Sequence, residues 1–348
     1  MSNLPKIKVV QAGCGNMAPA WIGPALELPQ LEYVGLADPN RANAEKIAER
    51  YGFARELLFT SLQEALEKTQ PDVVFDVSVP AAHYEVTTRA LRHGCHVLGE
   101  KPMSDTLENA RRMVQAARQA GKLYAVIQNR RYEPNIMRVR EFLDGGAIGR
   151  PHTIHADFFL GPHFGGFRDL MEQPLLVDMA IHTFDAARYL AHLDPVGVYC
   201  RSFNPTGSWY QGDASALAIF DMADSEGESV MFCYRGSWCA EGLPTSWNSS
   251  WRIIGTQGTL LWTGEDDIRA EVVDETAPPA HMRPIRALEI PPKTLEHTRH
   301  AALIREFITC VQTGARPQTH CEDNIKSLAM VLGAVESARS GQRVPIEA

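Results

Sequence analysis

The chain has 348 residues, 22% of them charged and 45% hydrophobic, with a formal net charge of −8. That length admits two domains with substantial cores, and the mixture is that of an ordinary water-soluble globular protein. The acidic balance, unbroken by any run of Lys and Arg, argues against nonspecific nucleic-acid binding, and nothing approaches the ~18 consecutive apolar residues of a membrane span. Seven scattered cysteines without a CxxC pair predict reduced thiols, with neither a disulfide framework nor a zinc site. With no signal-peptide pattern at the N-terminus, a cytoplasmic protein is expected.

Along residues 1–128 short apolar strands alternate with amphipathic helices. Strands are predicted at 6–12, 31–37, 72–78, 95–99 and 123–128, with a weaker one at 57–60. Helices are predicted at about 17–28, 41–51, 61–69, 83–93 and 105–120. Strands this apolar, joined by helices, imply a parallel sheet covered on both faces, the doubly wound α/β architecture of a Rossmann-type domain. The first strand runs into Gly13-Cys14-Gly15-Asn16-Met17-Ala18, a glycine turn between strand and helix. Gly13 permits the tight turn, Gly15 lets backbone N–H groups approach a pyrophosphate, and the small Ala18 lets the helix pack on the strand. The helix N-terminus adds a positive dipole end for the anion. Asp38 closes the second strand twenty residues after Ala18. A carboxylate there accepts from both ribose hydroxyls and repels a 2′-phosphate, so NAD is the expected cofactor; Arg41, close behind, keeps NADP possible.

From residue 129 the rhythm changes. A helix at about 134–144 is followed by strands near 151–160, 195–204, 213–221, 229–238, 248–255 and 258–262. One helix, Val177 to His192, interrupts them, and two more close the chain near 297–313 and 322–340. Residues 129–348 are therefore expected to form an α+β domain on a largely antiparallel open sheet, with closing helices able to pack back on the first domain. The segment 274–294, carrying Pro278, Pro279, Pro284, Pro291 and Pro292, reads as a long connection. A sheet covered on one face leaves the other for a second copy, so a homodimer or homotetramer is expected.

In an open parallel sheet, ligands gather at the carboxyl ends of the strands. Three such ends carry polar residues: Asp76 to Pro80 leads into His83, His96 to Glu100 into Lys101-Pro102, and Val126 to Asn129 into Arg130. Lys101, at that rim, is in reach of a nicotinamide and a substrate oxygen. On the helix from Val177, Asp178 and His182 are four residues apart and share an α-helical face, with Asp185 further along it. A carboxylate that orients an imidazole suits removal of an alcohol proton near neutral pH, and a lysine beside the same oxygen stabilises developing negative charge. Each also has an ordinary structural reading, Lys101 as a solvated strand-end lysine and Asp178 with His182 as a helix-face hydrogen-bond pair. His163 and Arg168, in the glycine-rich stretch Gly161–Asp169, are candidates for substrate hydroxyls or a carboxylate. Arg168 serves equally well as a brace against Asp178 or a backbone carbonyl. No cluster has metal-ligand spacing, and no metal is expected.

These motifs together resemble the glucose–fructose oxidoreductase/inositol dehydrogenase (Gfo/Idh/MocA) family. The matching residues are Gly13 to Ala18, Val79-Pro80 with His83, Glu100-Lys101-Pro102, Asn129-Arg130-Arg131-Tyr132, Phe167-Arg168-Asp169 and Asp178-Met-Ala-Ile-His182-Thr-Phe-Asp185. They run in family order across both domains. The resemblance implies that Lys101, Asp178 and His182 are the catalytic group, with His182 the general acid/base. It also implies that Val79, Pro80, His83, Glu100 and Asn129 line the nicotinamide side, and that the Lys101–Pro102 bond is cis. One departure is Gln173-Pro174-Leu175-Leu176, where many members have a glycine-rich run. The expected function is an NAD(H)-dependent dehydrogenase of a secondary alcohol or ketone on a sugar, cyclitol or related polyol. Two rivals use the same pattern. One is sugar–sugar oxidoreduction or redox-assisted glycoside cleavage on tightly held NAD(P); the other is a dinucleotide sensor without turnover.

Overall fold

The computed structural model describes residues 6–278 and 280–347. Pro279, one of the prolines of the expected connection, lies outside the described residues. The chain divides into two compact units, Met1–Tyr132 with His297–Ile325, and Glu133–Glu296 with Lys326–Ala348.

The first unit holds six strands: β1 (Ile7–Ala12), β2 (Leu31–Ala37), β3 (Leu58–Phe59), β4 (Val73–Asp76), β5 (His96–Gly99) and β6 (Tyr124–Val126). They pair in parallel in the order β3-β2-β1-β4-β5-β6. Helices α1 (Ala18–Leu26), α2 (Arg41–Tyr51), α3 (Leu62–Thr69), α4 (Pro80–Arg92) and α5 (Leu107–Ala120) connect them. Val9, Val10, Val73, Val74, Val97 and Leu98 are fully buried, as a sheet packed on both faces requires. Asn40 caps α2 through its side chain and Gly52 ends it in the left-handed conformation; Thr106 and Gly121 do the same for α5. Strand order reverses between β1 and β4, the switch point where such sheets bind ligands.

The second unit carries α6 (Pro134–Asp144), β7 (Pro151–Phe159), α7 (Ile181–Ala191), β8 (Asp194–Phe203), β9 (Ser215–Ala223), β10 (Ser229–Ser237), β11 (Ser250–Gly255), β12 (Gly258–Trp262), β13 (Ile268–Val273), β14 (Ile285–Leu288) and β15 (Val344–Pro345). The sheet order is β14-β13-β12-β11-β7-β10-β9-β8-β15; β7 and β10 pair in parallel and the other pairs are antiparallel. Burial alternates along β9 and β10. On the covered face Phe184 of α7 meets Phe220 and Tyr234 edge-on, at ring separations of 4.7 and 5.1 Å. On the other face Tyr199, Leu217, Ile219 and Met231 remain exposed.

The two closing helices are α8 (Arg299–Thr313) and α9 (Cys321–Ser340). Leu303, Ile304, Phe307 and Ile308 of α8 join the core of the first unit beside Trp21 and Phe75. Met330, Val331, Ala334 and Val335 of α9 join the core of the second. Two expectations need correction. Strand β14 lies inside 274–294, so that segment is not wholly a connection; its short edge strand lacks a strong alternating pattern. The helix expected from Val177 opens with a π-helical turn over Leu175–Ala180 before α7 begins. Among the described residues no helix is long and apolar enough to cross a membrane.

Candidate active site

At the end of β1 the chain turns at Gly13 with φ +95°, where an added Cβ would stand 2.3 Å from the Val77 carbonyl oxygen. Only glycine fits there. At Gly15 the same Cβ would meet nothing within 4 Å, so its backbone is approachable. Ala18 is fully buried under the turn and Met17 is exposed; Asn16 is exposed as well. Asp38 Oδ2 accepts from the Cys14 N–H at 2.9 Å and Oδ1 from the Asn40 N–H at 2.8 Å. The Asn43 amide approaches both oxygens at 3.3 and 3.4 Å. The carboxylate thus braces both the glycine turn and the start of α2. Burial, then the Asp38 charge, pushes the Cys14 thiol up to about 12, so it is no nucleophile.

Gly13, Gly15, Asp38, Asn40, Thr60 and Val79 are among the residues lining a cavity of about 550 Å³. Asn40, Asn43, Thr60 and Ser61 escape the sequence reading; the signal for Asn40 is its position as helix cap directly after Asp38. Arg41 is not in this lining. It pairs with Glu45 at 3.0 Å on the exposed face of α2. A cradle that excludes a side chain at one glycine, lies open at the next, and ends on an oriented carboxylate fits a dinucleotide.

Val79 is exposed and Pro80 opens α4. His83 is 2% exposed, with Nδ1 2.9 Å from the Pro102 carbonyl oxygen and Nε2 3.1 Å from that of Ser78. It ties the loop after β4 to the loop after β5. The Lys101–Pro102 bond is cis. Glu100 is buried, accepting from Trp21 Nε1–H at 2.8 Å and from the Lys101 N–H at 3.1 Å. Burial pushes its carboxyl up, but the contacts of His300 and Trp21 and the charges of His300 and Lys101 outweigh that, leaving it below the usual value. Asn129 opens a 3₁₀ turn after β6, its amide 3.1 Å from His300 Nδ1. The glycine turn, Asp38, Val79, Lys101 and Asn129 therefore stand at carboxyl ends of neighbouring parallel strands.

In the second unit, Arg168 Nε donates to Asp178 Oδ2 at 2.6 Å. The Arg168 guanidinium also lies 5.3 Å from the Phe164 ring centre and 4.7 Å from that of Phe167. Of the alternatives for Arg168, the brace against Asp178 is present. Asp178 sits in the π-helical turn and His182 in the first turn of α7, so α-helical spacing does not run through the pair. A π turn widens residue spacing and is frequent at functional sites. His182 is 8% exposed. Asp185 is buried, accepting from Ser327 Oγ at 2.7 Å beside Arg188, which makes it part of the packing. His163 stacks on Trp209 with ring centres 3.7 Å apart, and its Nε2 is 2.9 Å from Glu241 Oε1.

A glycine cradle with an oriented acid, set at the switch point of a six-stranded parallel sheet, defines a Rossmann domain built for a dinucleotide. The second unit adds a mostly antiparallel sheet, the layout of a two-domain oxidoreductase. Residues 7–128 match the NAD-binding Rossmann fold of the Gfo/Idh/MocA oxidoreductase family and residues 136–261 match the C-terminal domain of that family; the chain belongs to it. It is 27% identical to 1,5-anhydro-D-fructose reductase of Ensifer adhaerens, across 96% of this chain and 97% of that protein. It is 24% identical to the NAD-dependent scyllo-inositol 2-dehydrogenase of Bacillus subtilis, across 92% and 90%. An Agrobacterium radiobacter oxidoreductase solved with NAD⁺, L-tartaric acid and magnesium has the same fold, with a TM-score of 0.84 at 21% identity over 98% of both chains.

Proposed function

We propose that the protein interconverts a secondary alcohol and the corresponding ketone on a sugar, cyclitol or related polyol, exchanging hydride with the nicotinamide of NAD. Lys101 carries this reading: it follows β5 on the rim that also presents the glycine turn and Asp38. A lysine ammonium there suits stabilisation of the charge that develops on the substrate oxygen. His182 takes the hydroxyl proton during oxidation and returns it during reduction. Asp178 orients His182 or a substrate hydroxyl, while Arg168 and His163 border the surface that meets the remaining hydroxyls. When bound, NAD supplies the hydride acceptor. Asp38 holds its ribose and repels a 2′-phosphate, which favours NAD over NADP. The relatives named for 1,5-anhydro-D-fructose and scyllo-inositol support the polyol class.

The test follows reduced-nicotinamide absorbance with NAD and then NADP across sugars, inositols and sugar acids. Turnover of one such substrate is expected, with His182→Ala lowering it roughly 10²–10⁴-fold at nearly unchanged NADH affinity. Silence across the panel, while NADH still binds, overturns the dehydrogenase reading. The exposed face bearing Tyr199, Leu217, Ile219 and Met231 supports a homodimer or homotetramer, which light scattering reads directly. Ile219→Lys should shift it toward monomer.

A further inference from the structure

Sequence reading marks Glu100 and Asn129 but nothing among the 12 histidines singles out His300. The fold brings it from the second residue of α8 into the first unit's strand-end rim. Its Nδ1 lies 3.1 Å from the Asn129 amide nitrogen and its Nε2 lies 3.7 Å from Glu100 Oε1. The ring also meets Trp21 edge-on, with centres 6.1 Å apart. Where the Asn129 amide donates, Nδ1 accepts, and Nε2 faces the Glu100 carboxylate across 3.7 Å, beyond hydrogen-bond length. One ring thus stands between the residue before Lys101 and the 3₁₀ turn that follows β6, hydrogen-bonded to the latter and near the carboxylate of the former, while Trp21 donates to the same Glu100 oxygen from α1. The approach to this ring is strained: Arg299, directly before it, has φ +51°, a left-handed conformation that a residue with a Cβ rarely adopts. Backbone outliers of this kind persist where the surroundings over-determine them, and they cluster at functional sites.

We propose that His300 is a positioning residue for the nicotinamide end of the site, fixing Glu100 and Asn129 and through Glu100 the carriage of Lys101. This rests on the reading that Glu100 and Asn129 face the nicotinamide. The adenosine end, built from the glycine turn and Asp38, is held independently by Cys14, Asn40 and Asn43. His300 therefore acts on one end of the cofactor only.

The test compares binding of NADH with binding of ADP-ribose, which lacks the nicotinamide, in the full-length protein. His300→Phe keeps the ring against Trp21 and removes both nitrogens; NADH should bind roughly tenfold more weakly and ADP-ribose equally well. His300→Gln, whose amide still donates toward Glu100, should recover most of the NADH affinity. If the phenylalanine variant does not fold, His300→Asn replaces it, because its shorter amide leaves Glu100 out of reach and the same selective loss is expected. His300→Phe introduced into Glu100→Gln should add little further loss, since the two act through one contact. Equal weakening of NADH and ADP-ribose, no weakening of either, a glutamine variant no better than phenylalanine, or full additivity with Glu100→Gln overturns the proposal. No substrate enters these measurements, so their failure is separate from failure of the dehydrogenase reading.

Discussion

The two units prepare their functional groups differently. In the first, the groups are set by the backbone: a glycine turn whose geometry excludes a side chain, a carboxylate held by two main-chain N–H groups, and a lysine at a strand end. In the second, a π-helical turn and side-chain pairing that includes the ion pair from Arg168 to Asp178 orient the carboxylate, and the histidine follows where α-helical geometry resumes. Backbone-built groups tolerate little local change and fail with the fold. Groups set by side-chain pairing fail alone, leaving the fold and cofactor affinity intact.

The largest expected effect lies within the glycine turn. Gly13→Ala forces a Cβ to within 2.3 Å of the Val77 carbonyl oxygen at φ +95°, with two causes of strain at once. A loss of several kcal/mol is expected, seen as a thermal midpoint lowered by about 10 °C or more, or as no soluble protein. Gly15→Ala meets nothing within 4 Å, so its midpoint should stay within about 2 °C of the parent while NADH affinity falls roughly tenfold or more. Equal thermal damage from both substitutions would break the distinction between a glycine needed for folding and one needed for the ligand.

Next in size comes Arg168→Met, in the second unit. The substitution removes the 2.6 Å contact of the guanidinium with Asp178, which is 13% exposed, and so loosens the orientation of the carboxylate. Turnover on a substrate identified as above should fall roughly tenfold or more, with NADH affinity unchanged because the contact lies in the unit without the glycine turn. A fall in NADH affinity matching the fall in turnover would show that the two regions do not separate as argued.

That separation also decided what was legible beforehand. The glycine turn, Asp38 and Lys101 are encoded locally, by short apolar strands with polar residues at their ends, and period and turn chemistry suffice to find them. The π turn has no such signature. Pro174-Leu175-Leu176 reads as an α-helical start, and the wider turn emerges only with the helix packed. The choice between Arg168 as brace and as substrate ligand is a choice of rotamer, which spacing does not settle. Asn43 reaches Asp38 from only five positions along the chain but carries no motif of its own, and His300 becomes visible only through long-range packing, from a helix 171 positions beyond Asn129. Short edge strands such as β14 and β15 rest on pairing with a neighbour, not on their own pattern.

A smaller effect is expected at Asp38, where the carboxylate has both a folding and a binding role. Asp38→Ala removes the acceptor for the Cys14 and Asn40 N–H groups along with the ribose contact. NAD affinity should fall roughly tenfold, and the ratio of NADP to NAD use should rise because the carboxylate no longer repels a 2′-phosphate. Measuring Kd for both cofactors decides the point; an unaltered ratio means that the ribose is read elsewhere.

The smallest effect concerns the opposite end of β5 from Lys101. His96 opens that strand, and its Nδ1 accepts from the Leu123 N–H at 3.0 Å, a contact the protonated ring cannot make. Burial, reinforced by the Lys122 charge and partly opposed by Asp72, lowers its pKa from the ordinary 6.5 to about 4. Between those values the unfolded chain binds the proton and the folded chain does not. Stability is therefore complete above about pH 6.5 and declines as pH falls toward 4. His96→Gln keeps an acceptor for Leu123 without titrating. Its thermal midpoint should start close to the parent's at neutral pH and fall less on acidification, by a difference of about a few degrees, because the ring is only partly buried. Parallel decline of variant and parent would place the acid sensitivity elsewhere. A selective loss of NADH affinity in this variant would mean that the two ends of β5 are coupled, contrary to a site fixed by its own rim.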